Sequence, residues 1–134
     1  MVPKEYSASD ALLSDIGQIA VTAHDLRRAV AFYRDTLGLR FLFEVPKMAF
    51  LQCGGVRLML AEPEKPEYDH PASLIYYRVE DMDHTHAVLQ DRGVKFLSEP
   101  QVVHRTERSE LWMAFLNDSE GNTLALMTER TVGA

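Results

Sequence analysis

The sequence predicts an α+β domain of two βαβββ repeats, whose curved mixed sheets surround a cavity. Three observations predict it. A strand–helix–strand–strand–strand order runs twice along the 134 residues. Each helix opens on an aspartate and stops at a glycine, the residues favoured at those two ends. And the halves align: Ile19 falls on Ile75, Val21 on Tyr77, Asp25 on Asp81, Gly38 on Gly93, Phe41 on Phe96, Gly55 on Gly121 and Leu58 on Leu124. Repeats of this kind arise when one unit cannot bury its apolar face alone.

Residues 1–14 read as an N-terminal tail, with a helical turn around Ala11 to Leu13. The first half spans 15–63. Ile16 to Ala23 alternates as a strand does. Asp25 caps a helix in which Leu26, Val30, Tyr33 and Leu37 fall near helical spacing, and Gly38 ends it. Residues 41–45 and 48–53 read as strands. Gly54-Gly55 is a two-residue hairpin signal, and 56–61 returns as the next strand. The stretch 64–72, rich in proline and charge, is a linker. The second half spans 73–130: a strand at 74–79, a helix from Asp81 to Gln90, a stop at Gly93 and a strand at 94–97. A polar loop follows at 98–110. Strands at 111–117 and 123–129 form a hairpin around Asp118 to Gly121.

Composition excludes several functions. Formal net charge is −6, and Arg27-Arg28 is the one dense basic pair, so no nucleic-acid partner is expected. No apolar run reaches the length that spans a bilayer, and the first residues lack the apolar core of a signal peptide, so the expectation is a cytoplasmic protein without a membrane partner. Cys53 is the single cysteine and can form no internal disulfide. With no activating base apparent beside it, it reads as chemically inert.

DLRRAVAFYRDTLGLRF (25–41) resembles the first-half signature of the vicinal-oxygen-chelate superfamily, and FLNDSEGNTLALM (115–127) resembles its closing hairpin. That superfamily includes glyoxalase I, bleomycin and fosfomycin resistance proteins and extradiol dioxygenases. The resemblance implies a glyoxalase/bleomycin-resistance-like fold and, in metal-dependent members, four strand ligands, usually His, Gln or Glu. The equivalent positions are Gln18, Met59, Leu74 and Ala125. Gln18 alone is a permitted ligand type. Leucine and alanine offer no lone pair, and a thioether suits soft ions. The expectation is therefore no divalent metal and no other cofactor.

If those four positions face the cavity, strand alternation adds others. Met59 brings Arg57, and pairing across Gly54-Gly55 brings Phe50 and Gln52. Ala125 brings Met127, and pairing across the closing turn brings Trp112, Ala114 and Leu116. Tyr76 joins Leu74 from the strand that opens the second half. The expected ligand-binding set is Gln18, Phe50, Gln52, Arg57, Met59, Leu74, Tyr76, Trp112, Ala114, Ala125 and Met127. An arginine on an inward face needs an anionic partner. Arg57 and His104, the latter in the long loop, are the candidate catalytic residues. His84 and His86 lie on one helix two residues apart and do not share a face.

The expectation is a small-molecule-binding homodimer that takes a small apolar or aromatic anion without the usual metal. The alternative is a glyoxalase I-like enzyme, of the lactoylglutathione lyase type, acting on a small oxygenated metabolite. If the protein is an enzyme, it is a glyoxalase-like lyase or isomerase.

Overall fold

Each half folds around one helix laid on one face of a four-stranded mixed sheet. The computed structural model describes residues 12–132. In the first half, β1 (Gln18–Thr22), α1 (Leu26–Ala31), β2 (Arg40–Val45), β3 (Met48–Cys53) and β4 (Val56–Ala61) give a sheet of order β1-β4-β3-β2. The second half repeats it with β5 (Ile75–Arg78), α2 (Met82–Asp91), β6 (Gln101–Arg105), β7 (Ser109–Asn117) and β8 (Thr123–Thr131), ordered β5-β8-β7-β6. In both, the first strand pairs parallel to the last and the remaining ladders are antiparallel. The tail expected at 1–14 lies mostly outside the described residues; Leu12 and Leu13 form no helical turn.

The aspartate caps form as expected. Asp25 accepts from the Arg28 backbone N–H at 3.1 Å, and Asp81 from that of His84 at 3.0 Å. Each satisfies a backbone donor that the first helical turn leaves without a partner. After α1 the chain widens into one π turn over Phe32–Thr36, where the Leu37 N–H reaches the Phe32 carbonyl. Gly38 (φ 81°) and Gly93 (φ 92°) then take the left-handed conformation that ends each helix cheaply.

The helix-side sheet faces make two cores. Val21, Leu26, Val30, Tyr33, Leu51, Leu58 and Leu60 form the first; Met82, Leu89, Ala114, Leu116, Leu124 and Leu126 form the second. Phe32 and Leu37 pack against both, so the π turn joins the halves. The opposite faces stay open: Leu74 and Tyr76 remain 42% and 43% exposed, and no strand of one sheet pairs with the other.

Two sequence expectations fail here. Residues 94–97 make a single bridge, Phe96 to Leu116, and the fourth strand is instead β6, inside the segment read as a polar loop. Phe96 leaves the ladder because its ring packs toward the second core and against His86 (centroids 4.3 Å apart). The closing hairpin is also one residue longer than supposed. Asn117 pairs with Thr123, so Ala125 lies opposite Phe115 and Met127 opposite Met113. A one-residue slip exchanges the two faces of a strand. Trp112, Ala114 and Leu116 therefore lie on the α2 side, not the cavity side.

Candidate functional site

Gln18, Phe50, Gln52, Arg57 and Met59 do share the open face of the first sheet. Their cross-strand register is Gln18 to Arg57 to Gln52 and Phe50 to Met59. The Arg57 Nε–H donates to Gln18 Oε1 at 2.9 Å, and its guanidinium lies over the Phe50 ring, 5.4 Å from the centroid. Phe50 stacks on Phe43 at 4.5 Å, which a bulge in β2 turns to this face. Arg57 is exposed in the single chain but held on both sides. Its terminal nitrogens make no hydrogen bond or ion pair to a described residue. Gln52 turns aside, its amide donating to the Gly54 carbonyl at 2.6 Å.

Next to Met59 the face deepens into a pocket of about 380 Å³, lined by Ala20, Met48, Met59, Ala61, Lys47 and Tyr68 among others. Its outer wall is the linker, which the sequence alone marks only as a connection. Two tethers fasten it. The His24 ring meets Asp69 at 2.6 Å, and the Ala72 N–H donates to Asn122 Oδ1 at 2.9 Å. The Asp69 hydrogen bond holds the His24 pKa above its ordinary value. Behind it, Glu120 accepts from the backbone N–H of His24 and Asp25 and pairs with Arg28 at 2.7 Å.

The second open face carries Tyr76, Ala125 and Met127, with Met113 and Phe115 in place of Trp112, Ala114 and Leu116; Leu74 lies just before β5, 42% exposed. Tyr76 meets Phe115 edge-on, ring centroids 6.2 Å apart. Counting the closing loop through Asn122 would have found Phe115. His104 sits on β6, not in a loop, exposed and opposite Leu111. Arg57 and His104 thus stand on different sheets. Lys47, Tyr68 and His70 line the pocket by tertiary folding alone, without a sequence signal.

The four family-equivalent positions do not fit a divalent ion. Gln18 spends Oε1 on Arg57, and its amide nitrogen lies 3.6 Å from the Met59 sulfur. Met59 offers only a thioether, and Leu74 and Ala125 offer nothing. Among the described residues, no three His, Cys, Asp or Glu side chains cluster as a metal site would need.

No helix among the described residues is long and apolar enough to cross a membrane. No curated protein matches the chain. Among solved structures, it is similar to a glyoxalase/bleomycin resistance protein/dioxygenase from Alicyclobacillus acidocaldarius (22% identity, 84% of this chain and 89% of that one, TM-score 0.67). It is similar to a lactoylglutathione lyase from Agrobacterium tumefaciens (21%, 87% and 95%, 0.67). It is also similar to TnmS3, an antibiotic binding protein from Streptomyces sp. CB03234 (25%, 87% and 96%, 0.68). The family model matches residues 15–126, nearly the whole of both repeats, and with the repeated sheets it shows that the chain belongs to the Glyoxalase/Bleomycin resistance protein/Dioxygenase superfamily.

Proposed function

We propose that the open face of the first sheet binds a small apolar or aromatic anion, without a divalent metal, and that a second copy of the chain closes over it. One observation carries this reading: the guanidinium of Arg57 is anchored through Nε by Gln18 with Phe50 beneath it, and Met59, next along the same strand face, leads into a pocket whose walls include Met48, Ala20 and Ala61, with Glu62, Glu64 and Lys47 at its linker side. An arginine held through one nitrogen keeps its remaining N–H donors for a carboxylate or phosphate. Phe50, Phe43, Met48 and Met59 supply the apolar wall, as ligand pockets generally require. The likeness to an antibiotic-binding protein supports binding rather than turnover.

The lyase alternative needs oxygen or nitrogen donors where this chain has Met59, Leu74 and Ala125, and it is the weaker reading on that chemistry. A cytoplasmic location fits the acidic, single-cysteine composition.

The test is calorimetric titration with an aromatic carboxylate such as hydrocinnamate. Trp112 lies behind the second sheet, so its fluorescence is a poor reporter. Arg57→Ala should weaken binding about tenfold or more, the worth of one charge-assisted hydrogen bond, and Arg57→Lys should recover only part because it lacks the planar fork. Equal affinity in wild type and Arg57→Ala would overturn the assignment.

A further inference from the structure

Two further cavities lie between the two halves; Arg57 lines neither, although Val56 and Leu58 of its strand line the larger. The larger, about 410 Å³, has Ile19, Val56, Leu58 and Ile75 as its apolar wall, and its rim takes in Tyr76 and Met127. The smaller, about 150 Å³, is walled by Leu37, Leu89, Leu124 and Leu126. Cys53, Tyr77 and Arg78 border both, so the two spaces meet at the Cys53–Tyr77 boundary.

The Tyr77 hydroxyl is buried there without a hydrogen-bond partner among the described residues. Its carboxylate neighbour cannot take it. Asp118 Oδ1 already accepts from the backbone N–H of Glu120 and Asn122, and Oδ2 from the Tyr33 hydroxyl and the Asn122 amide. A carboxylate with four donors has no lone-pair site left. A buried donor left unmade is costly, so an acceptor entering the cleft gains an interaction the protein does not provide for itself. At the Cys53–Tyr77 boundary itself an anion is disfavoured; the one charge bordering the cavities, Arg78, lies exposed at their mouth. Burial pushes both the Tyr77 hydroxyl and the Cys53 thiol toward their neutral forms.

We propose that this inter-half cleft is a second binding site, taking a neutral apolar molecule with a single hydrogen-bond acceptor, which receives the Tyr77 hydroxyl. A ketone or ester on a hydrocarbon body fits that description. The site shares only its rim residues Tyr76 and Met127 with the second open face, and its test does not depend on the reading given to Arg57.

Cys53, the only cysteine, is a built-in reporter. The full chain is alkylated with N-ethylmaleimide in the presence of benzylacetone, butylbenzene or hydrocinnamate. The first two share a skeleton with and without a carbonyl; the third carries a charge. Benzylacetone should slow alkylation severalfold at saturation. Its half-saturating concentration should lie about three- to tenfold below that of butylbenzene, the range a single net hydrogen bond supports. Tyr77→Phe should erase that preference while unfolding no more readily than wild type, since it removes a hydroxyl without a partner. Arg57→Ala should leave protection intact. The proposal is overturned if benzylacetone gives no protection, if hydrocinnamate protects as well as the ketone, or if the ketone preference survives in Tyr77→Phe. Loss of protection in Arg57→Ala, which would place the probe on the open face, overturns it equally. So does a lower melting temperature for Tyr77→Phe, which would mean the hydroxyl is already satisfied by water.

Discussion

The Tyr33 hydroxyl donates to Asp118 Oδ2 at 2.7 Å, tying the helix end of the first half to the closing hairpin of the second, 85 positions along the chain. Tyr33 is 1% exposed, and burial followed by the Asp118 charge pushes its pKa well above the ordinary tyrosine value. The bond is one of four that satisfy a buried carboxylate. Tyr33→Phe keeps the ring and leaves Asp118 one donor short, so it should destabilise the fold by about 1–3 kcal/mol. Urea unfolding should show a lower midpoint at unchanged slope. A loss below about 0.5 kcal/mol, the lower end for one net hydrogen bond, would mean that Asp118 finds another donor.

Glu120 sets the acid limb of stability. Burial alone would raise its pKa; Arg28, the backbone N–H groups of Asp25 and His24, and Ser119 outweigh that and bring it down to about 2. A carboxylate whose folded pKa is depressed stabilises the fold above its unfolded pKa, and the contribution is lost as pH falls through the folded value. Relative to an ordinary glutamate, this contribution drains away between about pH 4.5 and pH 2. Glu120→Gln should be less stable at neutral pH and lose part of the acid dependence, so the two urea-midpoint curves converge near the acid end. Parallel curves down to that pH would contradict the role.

What was legible in the sequence was local. Asp25, Gly38, Asp81 and Gly93 act within a turn of themselves, and the repeat they mark recovers the two-sheet fold. The open face of the first sheet followed too, because Gly54-Gly55 sets its register over two residues. The second open face did not. Its register depends on whether Asn122 belongs to the loop. Asn122 stays there because Asp118 bonds it within the loop while its side chain also reaches Thr22 of the first half and Ala72 of the linker, and the latter two are tertiary facts. The linker likewise became a pocket wall only through His24 and Asn122. Local signals do not carry such pairings.

Metal content separates the two functional readings. After incubation with nickel, zinc or manganese and removal of excess ion, the protein should retain well below one ion per chain. The reason is the donor chemistry of Gln18, Met59, Leu74 and Ala125. Stoichiometric retention that disappears in Gln18→Ala would restore the lyase reading and displace the metal-free one.

Tyr76 offers the clearest handle on assembly. It stands on the second open face against Phe115, 43% exposed in the single chain. Phe43 (45%) and Val45 (39%) are similarly uncovered on β2 of the first sheet. Neither sheet covers the other within one chain, and large apolar side chains left exposed on both open faces are what a partner would bury. A second copy would supply both complements at once if a two-fold arrangement set the first open face of each chain against the second open face of its partner, as the proposed function requires. Sedimentation at micromolar concentration should therefore show twice the 15.2 kDa chain mass. Tyr76→Glu would place a charge in that proposed interface and should raise the dimer dissociation constant about tenfold or more, the effect of roughly 1.4 kcal/mol. Arg27→Glu, on the exposed side of α1, should leave it unchanged. A wild-type chain that sediments only at its monomer mass would remove the second copy from the site, and an unshifted Tyr76→Glu dimer would place the interface elsewhere.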